Sequence, residues 1–433
     1  MKIVFLTAGT GSYYCGACMR DNALARELQR AGHEVTIAPM YLPLILDEAS
    51  LAGSEKVPVF FGGINVYLQQ KLGLARWTPA ALHRLLNSTG LLKWAARHSH
   101  MTSAREHGEM TLEMLNVGSG RLRQELAQLL DWLVHTEKPD LICLSNALFA
   151  GFTAELKRQL RAPVMLFFQG EDSFLDGLPE PYRSQCWQAL TNHLPAADLL
   201  VAPSQFYADF MGARLALKPA AIEVVPNGIQ LDGYSVVTTA PAPATIGYLA
   251  RMCREKGLAL FVDAFFHLTS ALGDRTTRLK IGGAATAGDQ PLIRTLQQKI
   301  AKAGLTARVD WAPNLTRESK IAFLQSLTLF SVPAIYEEAF GLYVIEAMAC
   351  GVPVIQPAAA AFPEIVAATG GGVCVPPRDA AALAHAWQQL LSDPGKHREF
   401  SRAGRFGVEK HFSAQTMAAR FRQVSARLTP AAL

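Results

Sequence analysis

Residues 333–357 read PAIYEEAFGLYVIEAMACGVPVIQP. Glu338 stands before a Phe-Gly turn, an apolar helix is predicted from about Leu342, and Glu346 follows Glu338 at a spacing of eight. The backbone N–H groups of residues 341–343 would point out of this helix and form an anion site that suits a phosphate. Glu346 lies inside the apolar run, where an unpaired carboxylate is costly, so a functional role is favoured over an exposed position. A phosphate site flanked by two carboxylates that can accept from hydroxyls predicts a nucleotide-sugar ligand.

Short apolar runs alternate with longer amphipathic segments along the rest of the chain, which is typical of helices that cover a parallel sheet. The two halves repeat this pattern. We therefore predict an α/β protein with two doubly wound Rossmann-like domains that face each other across a cleft, with ligands at the carboxyl ends of the strands. The predicted strands are Ile3–Thr7, Val35–Pro39, Leu141–Ser145, Val164–Gln169, Leu199–Pro203, Ile246–Ala250, Leu279–Gly282, Val309–Trp311, Leu327–Val332, Val354–Gln356 and Val373–Val375.

Shifts in composition predict the domain boundaries. A Pro/Ala/Thr stretch without periodicity is interpreted as a linker between the domains. A helical segment rich in Arg, Lys and His is interpreted as an insertion with a solvated face, and contact with an anionic acceptor or lipid headgroups is the alternative. The predicted parts are an N-terminal domain over 1–235 with an insertion at about 70–135, a linker over 236–245, a C-terminal domain over 246–410 and a C-terminal helix over 411–433, capped by Ser413.

Composition limits the class of protein and its partners. The chain has 433 residues, half of them hydrophobic and 18% charged, and its net charge of +5 argues against nucleic acid as a partner. Seven cysteines at scattered spacings fit a reducing cytoplasm. The first apolar run is too short for a signal peptide, and no run approaches the ~18 apolar residues of a membrane span. We expect a cytoplasmic protein without a transmembrane segment, and peripheral contact with a membrane is left open.

The 333–357 stretch resembles the E-x7-E motif of the retaining glycosyltransferases of family 4, which have the two-domain GT-B fold. Similarity is dense from about residue 246 to residue 390 and is hard to see between 41 and 135. The resemblance implies a hexosyltransferase that moves a hexosyl group from a nucleotide diphosphate sugar, expected to be a UDP-sugar, to a hydroxyl of a saccharide, lipid or small molecule. Further matching segments are GYLARMCREKG (247–257), VVPNGI (224–229), VAPSQF (201–206), AGHEV (31–35) and FPEIV (362–366).

The resemblance also implies roles for individual residues. Glu338 would contact hydroxyls of the donor sugar, Glu346 the ribose, and Arg251 with Lys256 the diphosphate. Glu338, Arg251 and Lys256 would do the catalytic work by positioning and by stabilising the charge of the leaving diphosphate. The donor-binding set is Gly16, Arg251, Lys256, Glu338, Phe340, Gly341, Leu342, Tyr343 and Glu346.

Retention of configuration by double displacement would need a carboxylate nucleophile. The family is usually described by front-face attack instead, so no nucleophile is assigned. The sequence contains no D-x-D pair, and neither a metal ion nor another cofactor is expected.

Three departures from the family pattern concern the acceptor side and the donor loop. Gln169 stands where the family often has a His, and it is followed by Glu171 and Asp172, which would either orient the acceptor or cap the loop. Ala360-Ala361 replaces a Gly pair, and an additional residue before Glu338 makes Glu337 a rival for its place.

A C-x-x-C motif, Cys15-Gly16-Ala17-Cys18, follows the first predicted strand. In the family this loop carries a Gly pair, and Gly16 matches its second glycine, which lets the backbone approach the donor. Cys15, Tyr13 and Tyr14 would then lie on the acceptor side, and Cys18 in the first turn of the helix. The alternatives are a nucleotide-sugar 2-epimerase of the same fold and a thiol oxidoreductase that uses Cys15 and Cys18; a zinc site lacks further ligands.

Overall fold

The fold is described from a computed structural model of the chain. The structure describes residues 1–9, 16–42, 44, 46, 48, 50–52, 57–61, 104–118, 122–237 and 241–428. The predicted acceptor-side residues Tyr13, Tyr14 and Cys15 lie outside these ranges, as does the insertion up to residue 103. The chain divides into two compact units: unit 1 comprises 1–203, 208–225 and 418–433, and unit 2 comprises 204–207 and 226–417.

Unit 1 is built on a six-stranded parallel sheet with the order β2-β1-β3-β4-β5-β6. Its central strands are almost wholly apolar and buried, as expected when helices cover both faces of a parallel sheet. The five strands predicted for this half are confirmed, and β6 is an additional edge strand. The strands are β1 (Lys2–Thr7), β2 (Glu34–Pro39), β3 (Leu141–Leu144), β4 (Val164–Phe167), β5 (Leu199–Ala202) and β6 (Ile222–Val224).

Helices of unit 1 follow the strands in the predicted alternation. Helix α1 runs between β1 and β2, and Gly32 ends the connection with a positive φ of 88°, as predicted for a C-terminal cap. The described part of the insertion is helical. The helices are α1 (Gly16–Arg30), α2 (Ala104–Leu115), α3 (Arg123–Trp132), α4 (Thr153–Gln159), α5 (Glu171–Asp176), α6 (Tyr182–His193) and α7 (Gln205–Arg214).

Unit 2 has a second six-stranded parallel sheet, with the order β12-β11-β10-β7-β8-β9. Counted within the unit, this is the strand order 3-2-1-4-5-6 of dinucleotide-binding folds, and the order reverses between β7 and β10. All six predicted strands are confirmed. They are β7 (Thr245–Leu249), β8 (Arg278–Gly283), β9 (Val309–Pro313), β10 (Leu329–Phe330), β11 (Val354–Pro357) and β12 (Gly372–Val375).

Large aromatic side chains fill the core of unit 2 between sheet and helices. Phe261 packs with its ring centroid 5.2 Å from that of Trp387 and 5.4 Å from that of Tyr248, and all three are fully buried. The helices of this unit are α8 (Leu258–Phe266), α9 (Gln290–Lys302), α10 (Arg317–Gln325), α11 (Leu342–Ala349), α12 (Phe362–Thr369), α13 (Ala380–Leu391) and α14 (Pro394–His411).

The last helix, α15 (Ala414–Ser425), begins as predicted, because the Ser413 hydroxyl accepts a hydrogen bond from the Thr416 N–H at 3.2 Å. From residue 418 onward the chain belongs to unit 1. There the buried Phe421 ring lies 6.1 Å from Phe5 and 6.4 Å from Phe167. The sequence pattern predicts the helix but carries no information about the sheet on which it packs.

The boundary between the units lies at Val225 rather than near residue 235. Residues after Val225 are tied to unit 2 by backbone bonds, from the Ile229 N–H to Phe412 O and from the Ala414 N–H to Ile229 O. The Tyr234 hydroxyl also bonds to Glu346. The described ends of the predicted linker 236–245 therefore belong to unit 2, and the shift in composition comes after the structural boundary.

Within the described part of the chain, no helix is both long enough and apolar enough to cross a membrane.

Candidate active site

The predicted donor residues gather where the strand order of unit 2 reverses. Arg251 and Lys256 lie in the loop after β7, and Glu338 lies in the loop between β10 and α11. The Ile335 N–H donates to Glu255 O at 2.9 Å and ties the two loops together. Because the crevice at such a reversal is where open parallel sheets bind ligands, the topology brings these side chains to one candidate site.

The start of α11 has the geometry that the sequence predicts. Gly341 precedes the helix with a φ of 98°, a conformation that glycine adopts without strain, and Leu342 and Tyr343 form the first turn. Their backbone N–H groups lie at the positive end of the helix dipole. Phe340 is buried, with its ring 5.6 Å from that of Phe412, so its side chain belongs to the core and only its backbone is left for a ligand.

Glu338 is a buried carboxylate held by a cation and a phenol. Its Oε2 accepts from Lys256 Nζ at 2.5 Å and from the Tyr343 hydroxyl at 2.6 Å. Lys256 Nζ also donates to the Tyr336 hydroxyl at 2.6 Å. Burial opposes ionisation of Glu338, but the Lys256 ammonium and the tyrosine hydroxyls outweigh it and hold the pKa of the carboxyl below its usual range. The group is therefore a carboxylate at neutral pH.

The structure distinguishes the two rival glutamates. Glu337 is exposed, whereas Glu338 is buried against Lys256. The Glu338 carbonyl also accepts from the Ala361 N–H at 3.3 Å. The neighbouring Ala360 has a φ of 55°, in the left-handed region that glycine adopts more readily. The Ala360-Ala361 pair thus keeps the backbone shape of a glycine turn at the cost of strain at one residue.

The loop that carries Lys256 packs tightly against the backbone of another loop at Gly257, and substitution of this glycine tests that packing. Its φ is 71°, and a Cβ there would lie 1.8 Å from Pro333 O. Gly304, after α9, has a φ of 70° but no atom within 4 Å of an added Cβ. We expect Gly304→Ala to cost about 1–2 kcal/mol from backbone strain alone. Gly257→Ala should lower the free energy of unfolding by about 3 kcal/mol or more, because the backbone at Pro333, in the loop after β10, must also move. The free energy of unfolding of both variants is measured by urea titration, and equal losses in the two variants would contradict this packing.

Arg251 forms a bidentate pair with Asp289, with Nε and Nη2 at 3.3 and 3.2 Å from the two carboxylate oxygens. Its side chain is 56% exposed, whereas that of Asp289 is 5% exposed. Asp289 also accepts from the backbone and hydroxyl of Thr286 in a capping box. The guanidinium is thus anchored on one side, and its exposed surface can meet an anion. The sequence reasoning missed Asp289, although its Thr-x-x-Asp spacing is a visible capping signal.

Glu346 is buried and ionically paired. Its Oε1 accepts from Lys320 Nζ of α10 at 2.6 Å and from the Tyr234 hydroxyl at 2.8 Å. The cost of a buried carboxylate in the apolar helix is therefore offset within the protein, which the sequence reasoning did not foresee. The ribose role implied by the resemblance would use a carboxylate that already has these two donors.

The residues predicted for the acceptor side of unit 1 form a capped loop after β4. Both Glu171 oxygens accept from backbone N–H groups, of Ala147 at 2.9 Å and of Gln169 at 2.8 Å. Burial raises the pKa of Glu171 to about 7, against the two backbone bonds that favour its ionised form. Asp172 is also buried and Gln169 is half-buried. Of the two interpretations left open for Glu171, the contacts are those of loop capping.

A second polar cluster lies at the carboxyl end of β1 and was not predicted. The buried Asp21 carboxylate accepts from the Thr7 hydroxyl at 2.9 Å and faces Arg20 Nη2 at 3.1 Å. The buried Arg20 guanidinium lies 4.3 Å from the Phe167 ring centroid. Burial raises the pKa of Asp21 in spite of the nearby Arg20 guanidinium.

Gly16 is the first residue of α1, so Cys18 lies in the first turn as predicted, and its thiol is buried.

Two family models match the chain, one to each half. "Glycosyl transferase 4-like domain" matches residues 19–228, and "Glycosyl transferases group 1" matches residues 237–406. The chain belongs to the GT-B glycosyltransferases of family 4. The family recognised from the 333–357 stretch is confirmed.

Curated relatives of this chain are similar to it over only part of their length. A D-inositol 3-phosphate glycosyltransferase of Mycobacteroides abscessus is 32% identical over 217 residues, which are 48% of this chain and 47% of the relative. An alpha-maltose-1-phosphate synthase of Mycolicibacterium smegmatis is 28% identical over 54% of this chain and 63% of its own. The chain thus spans about half the length of the first of these relatives.

Solved structures with the same fold cover almost the whole chain. A sucrose-phosphate synthase of Thermosynechococcus elongatus has a TM-score of 0.72 at 18% identity, with full coverage of both chains. HepE of Anabaena in complex with UDP has a TM-score of 0.68 at 18% identity and covers 99% of this chain and 100% of its own. The GT-B fold predicted from the sequence is confirmed.

Proposed function

We propose that this glycosyltransferase moves a hexosyl group from a nucleotide diphosphate sugar to a hydroxyl acceptor, with retention of anomeric configuration. The observation that carries the proposal is the arrangement in unit 2 of the Glu338 carboxylate, the Lys256 ammonium and the N-terminus of α11. A carboxylate accepts from sugar hydroxyls, and a cation beside a helix N-terminus binds a diphosphate. HepE of Anabaena, which has the same fold, has been solved with UDP and with UDP-glucose, which supports a UDP-sugar as donor.

The chemistry needs stabilisation of a leaving group more than it needs a nucleophile. The bond between the anomeric carbon and the diphosphate oxygen breaks, and negative charge develops on the diphosphate. Lys256, Arg251 and the backbone N–H groups at α11 would stabilise that charge, so we propose that no divalent metal is required. The acceptor hydroxyl forms the new bond on the face from which the diphosphate departs and passes its proton to the diphosphate.

Recognition of the acceptor is assigned to unit 1. The loop after β1, where Gly16 opens α1, and the loop after β4, which Glu171 caps, both lie at the carboxyl ends of the strands. The acceptor class stays open among saccharides, lipids and small molecules. We propose a cytoplasmic location, as expected from seven cysteines at scattered spacings.

A panel of nucleotide sugars tests this function. Each donor is incubated with the protein alone, and products are followed by anion-exchange chromatography and NMR of the sugar. We expect one donor to be hydrolysed slowly, with release of its nucleoside diphosphate and no change at C2. Conversion of the donor to its C2 epimer without an acceptor would indicate an epimerase. Absence of both binding and turnover across the panel would contradict a nucleotide-sugar donor.

A further inference from the structure

Two tyrosines surround the Lys256–Glu338 pair, and neither hydroxyl has a role in the chemistry described above. Tyr336 lies in the loop after β10, and Tyr343 lies in the first turn of α11. Lys256 Nζ is 4.9 Å from the ring centroid of Tyr336 and 5.1 Å from that of Tyr343. The ammonium is thus flanked by two aromatic rings and one carboxylate.

The bonds of this cluster link both tyrosines to the ion pair. Lys256 Nζ and the Tyr343 hydroxyl both donate to Oε2 of Glu338 and not to Oε1, and the Tyr336 hydroxyl also favours the ionised carboxylate. An ammonium has three N–H groups. Glu338 and Tyr336 take two of those on Lys256, which leaves the third for an oxygen of a ligand.

We propose that Tyr343 and Tyr336 are positioning residues: Tyr343 fixes Glu338 so that Oε1 meets the donor sugar, and Tyr336, which contacts both members of the pair, fixes Lys256 so that its third N–H meets the diphosphate. The proposal rests on the proposed nucleotide-sugar donor. It assigns recognition of the sugar and of the diphosphate to two different hydroxyls that lie on the same ion pair.

The packing around the two phenols also differs. The Tyr343 ring is wedged between Phe330 and Phe362, with centroid distances of 6.2 and 6.4 Å, so its hydroxyl is held rigidly against Glu338. Tyr336 is half-buried, and its loop is held at Ile335, whose carbonyl accepts from Arg378 Nη2 at 2.9 Å. Replacing either tyrosine by phenylalanine keeps the ring and deletes one hydroxyl.

The test compares UDP-glucose with UDP, which lacks the sugar, by isothermal titration calorimetry. For Tyr343→Phe we expect the affinity for UDP-glucose to fall about tenfold while that for UDP stays within about twofold, because only the sugar contact loses its support. For Tyr336→Phe we expect both affinities to fall about tenfold, since both ligands carry the diphosphate. A general loss of structure would not separate the two ligands in this way.

Tyr182→Phe is the matched control, because it removes a hydroxyl from α6 in unit 1 and should leave both affinities unchanged. Thermal unfolding of each variant checks the fold. Equal losses for both ligands in Tyr343→Phe, or wild-type affinities for both ligands in either variant, would overturn the proposal. Wild-type protein that binds neither UDP nor UDP-glucose would contradict the UDP-sugar donor itself, and the tasks of the tyrosines would fall with it.

Discussion

Glu338→Ala is expected to lower turnover of the donor sugar by about 10²- to 10³-fold. The substitution removes the carboxylate that is proposed to contact the sugar and leaves Lys256 without its buried counterion, so we expect poorer positioning of both the sugar and the diphosphate. Hydrolysis or transfer is measured at saturating donor, and the nucleoside diphosphate released is quantified. Glu337→Ala is the matched control, because this adjacent glutamate is exposed, and its turnover should stay within about threefold of the wild type.

The adjacent pair makes the result unambiguous. A large loss in Glu337→Ala with little change in Glu338→Ala would show that the other glutamate contacts the donor and that the E-x7-E register is wrong. Similar losses in both variants would indicate a general disturbance of the loop before α11. Either outcome would contradict the role given to Glu338.

Lys320→Met is expected to destabilise the protein by about 3–5 kcal/mol. The ammonium lies 2.6 Å from Glu346 Oε1, and the two side chains are 12% and 8% exposed, so removing the cation leaves a buried carboxylate with the Tyr234 hydroxyl as its remaining neutral donor. The methionine retains most of the packing volume of the lysine stem. The free energy of unfolding is measured by urea titration at constant pH and salt.

A double-mutant cycle separates loss of the pair from loss of packing. In Lys320→Met with Glu346→Gln the carboxylate is gone as well, and we expect about half or more of the lost stability to return. Destabilisation by the double variant equal to the sum of the two single variants would show that the groups do not interact. The same variants also separate stability from ribose binding, since Glu346→Gln alone tests nucleotide affinity.

Most of the fold can be read from the sequence because it depends on local patterns. Strands of a parallel sheet are continuous apolar runs, so all eleven predicted strands are found, with ends that shift by at most two residues. Among the strands in the described part of the chain, the short edge strand Ile222–Val224 is the one that was not predicted, since three residues carry too little pattern. The boundary at Val225 is not predicted for another reason. It depends on pairing of Ile229 with Ser413, which is remote in the sequence.

The sequence predicts which residues belong to the candidate site but not which side chains they contact. The spacing of the two glutamates and the Phe-Gly turn locate the candidate donor site, because the helix start and its anion site are local features. The partners of those residues come from other loops. Lys256 is separated from Glu338 by 82 positions, and Tyr234 from Glu346 by 112, so no pattern within one segment reveals them.

In unit 1 as well, the sequence predicts where a polar residue stands in a loop, whereas the tertiary fold determines what it contacts. Glu171 has the polar loop position that suggests contact with an acceptor, yet both of its oxygens are taken by backbone N–H groups. One of these donors, Ala147, follows a different strand. The choice between orienting an acceptor and capping a loop is therefore decided by the tertiary fold, which brings the ends of β3 and β4 together.

A crystal structure of the protein with UDP-glucose bound tests the proposed donor site most directly. We expect the diphosphate to lie within about 3 Å of Lys256 Nζ and of the backbone N–H groups at Leu342 and Tyr343, with a glucose hydroxyl on Glu338. Nucleotide bound away from the start of α11, or with its diphosphate out of reach of Lys256, would contradict the proposed donor site.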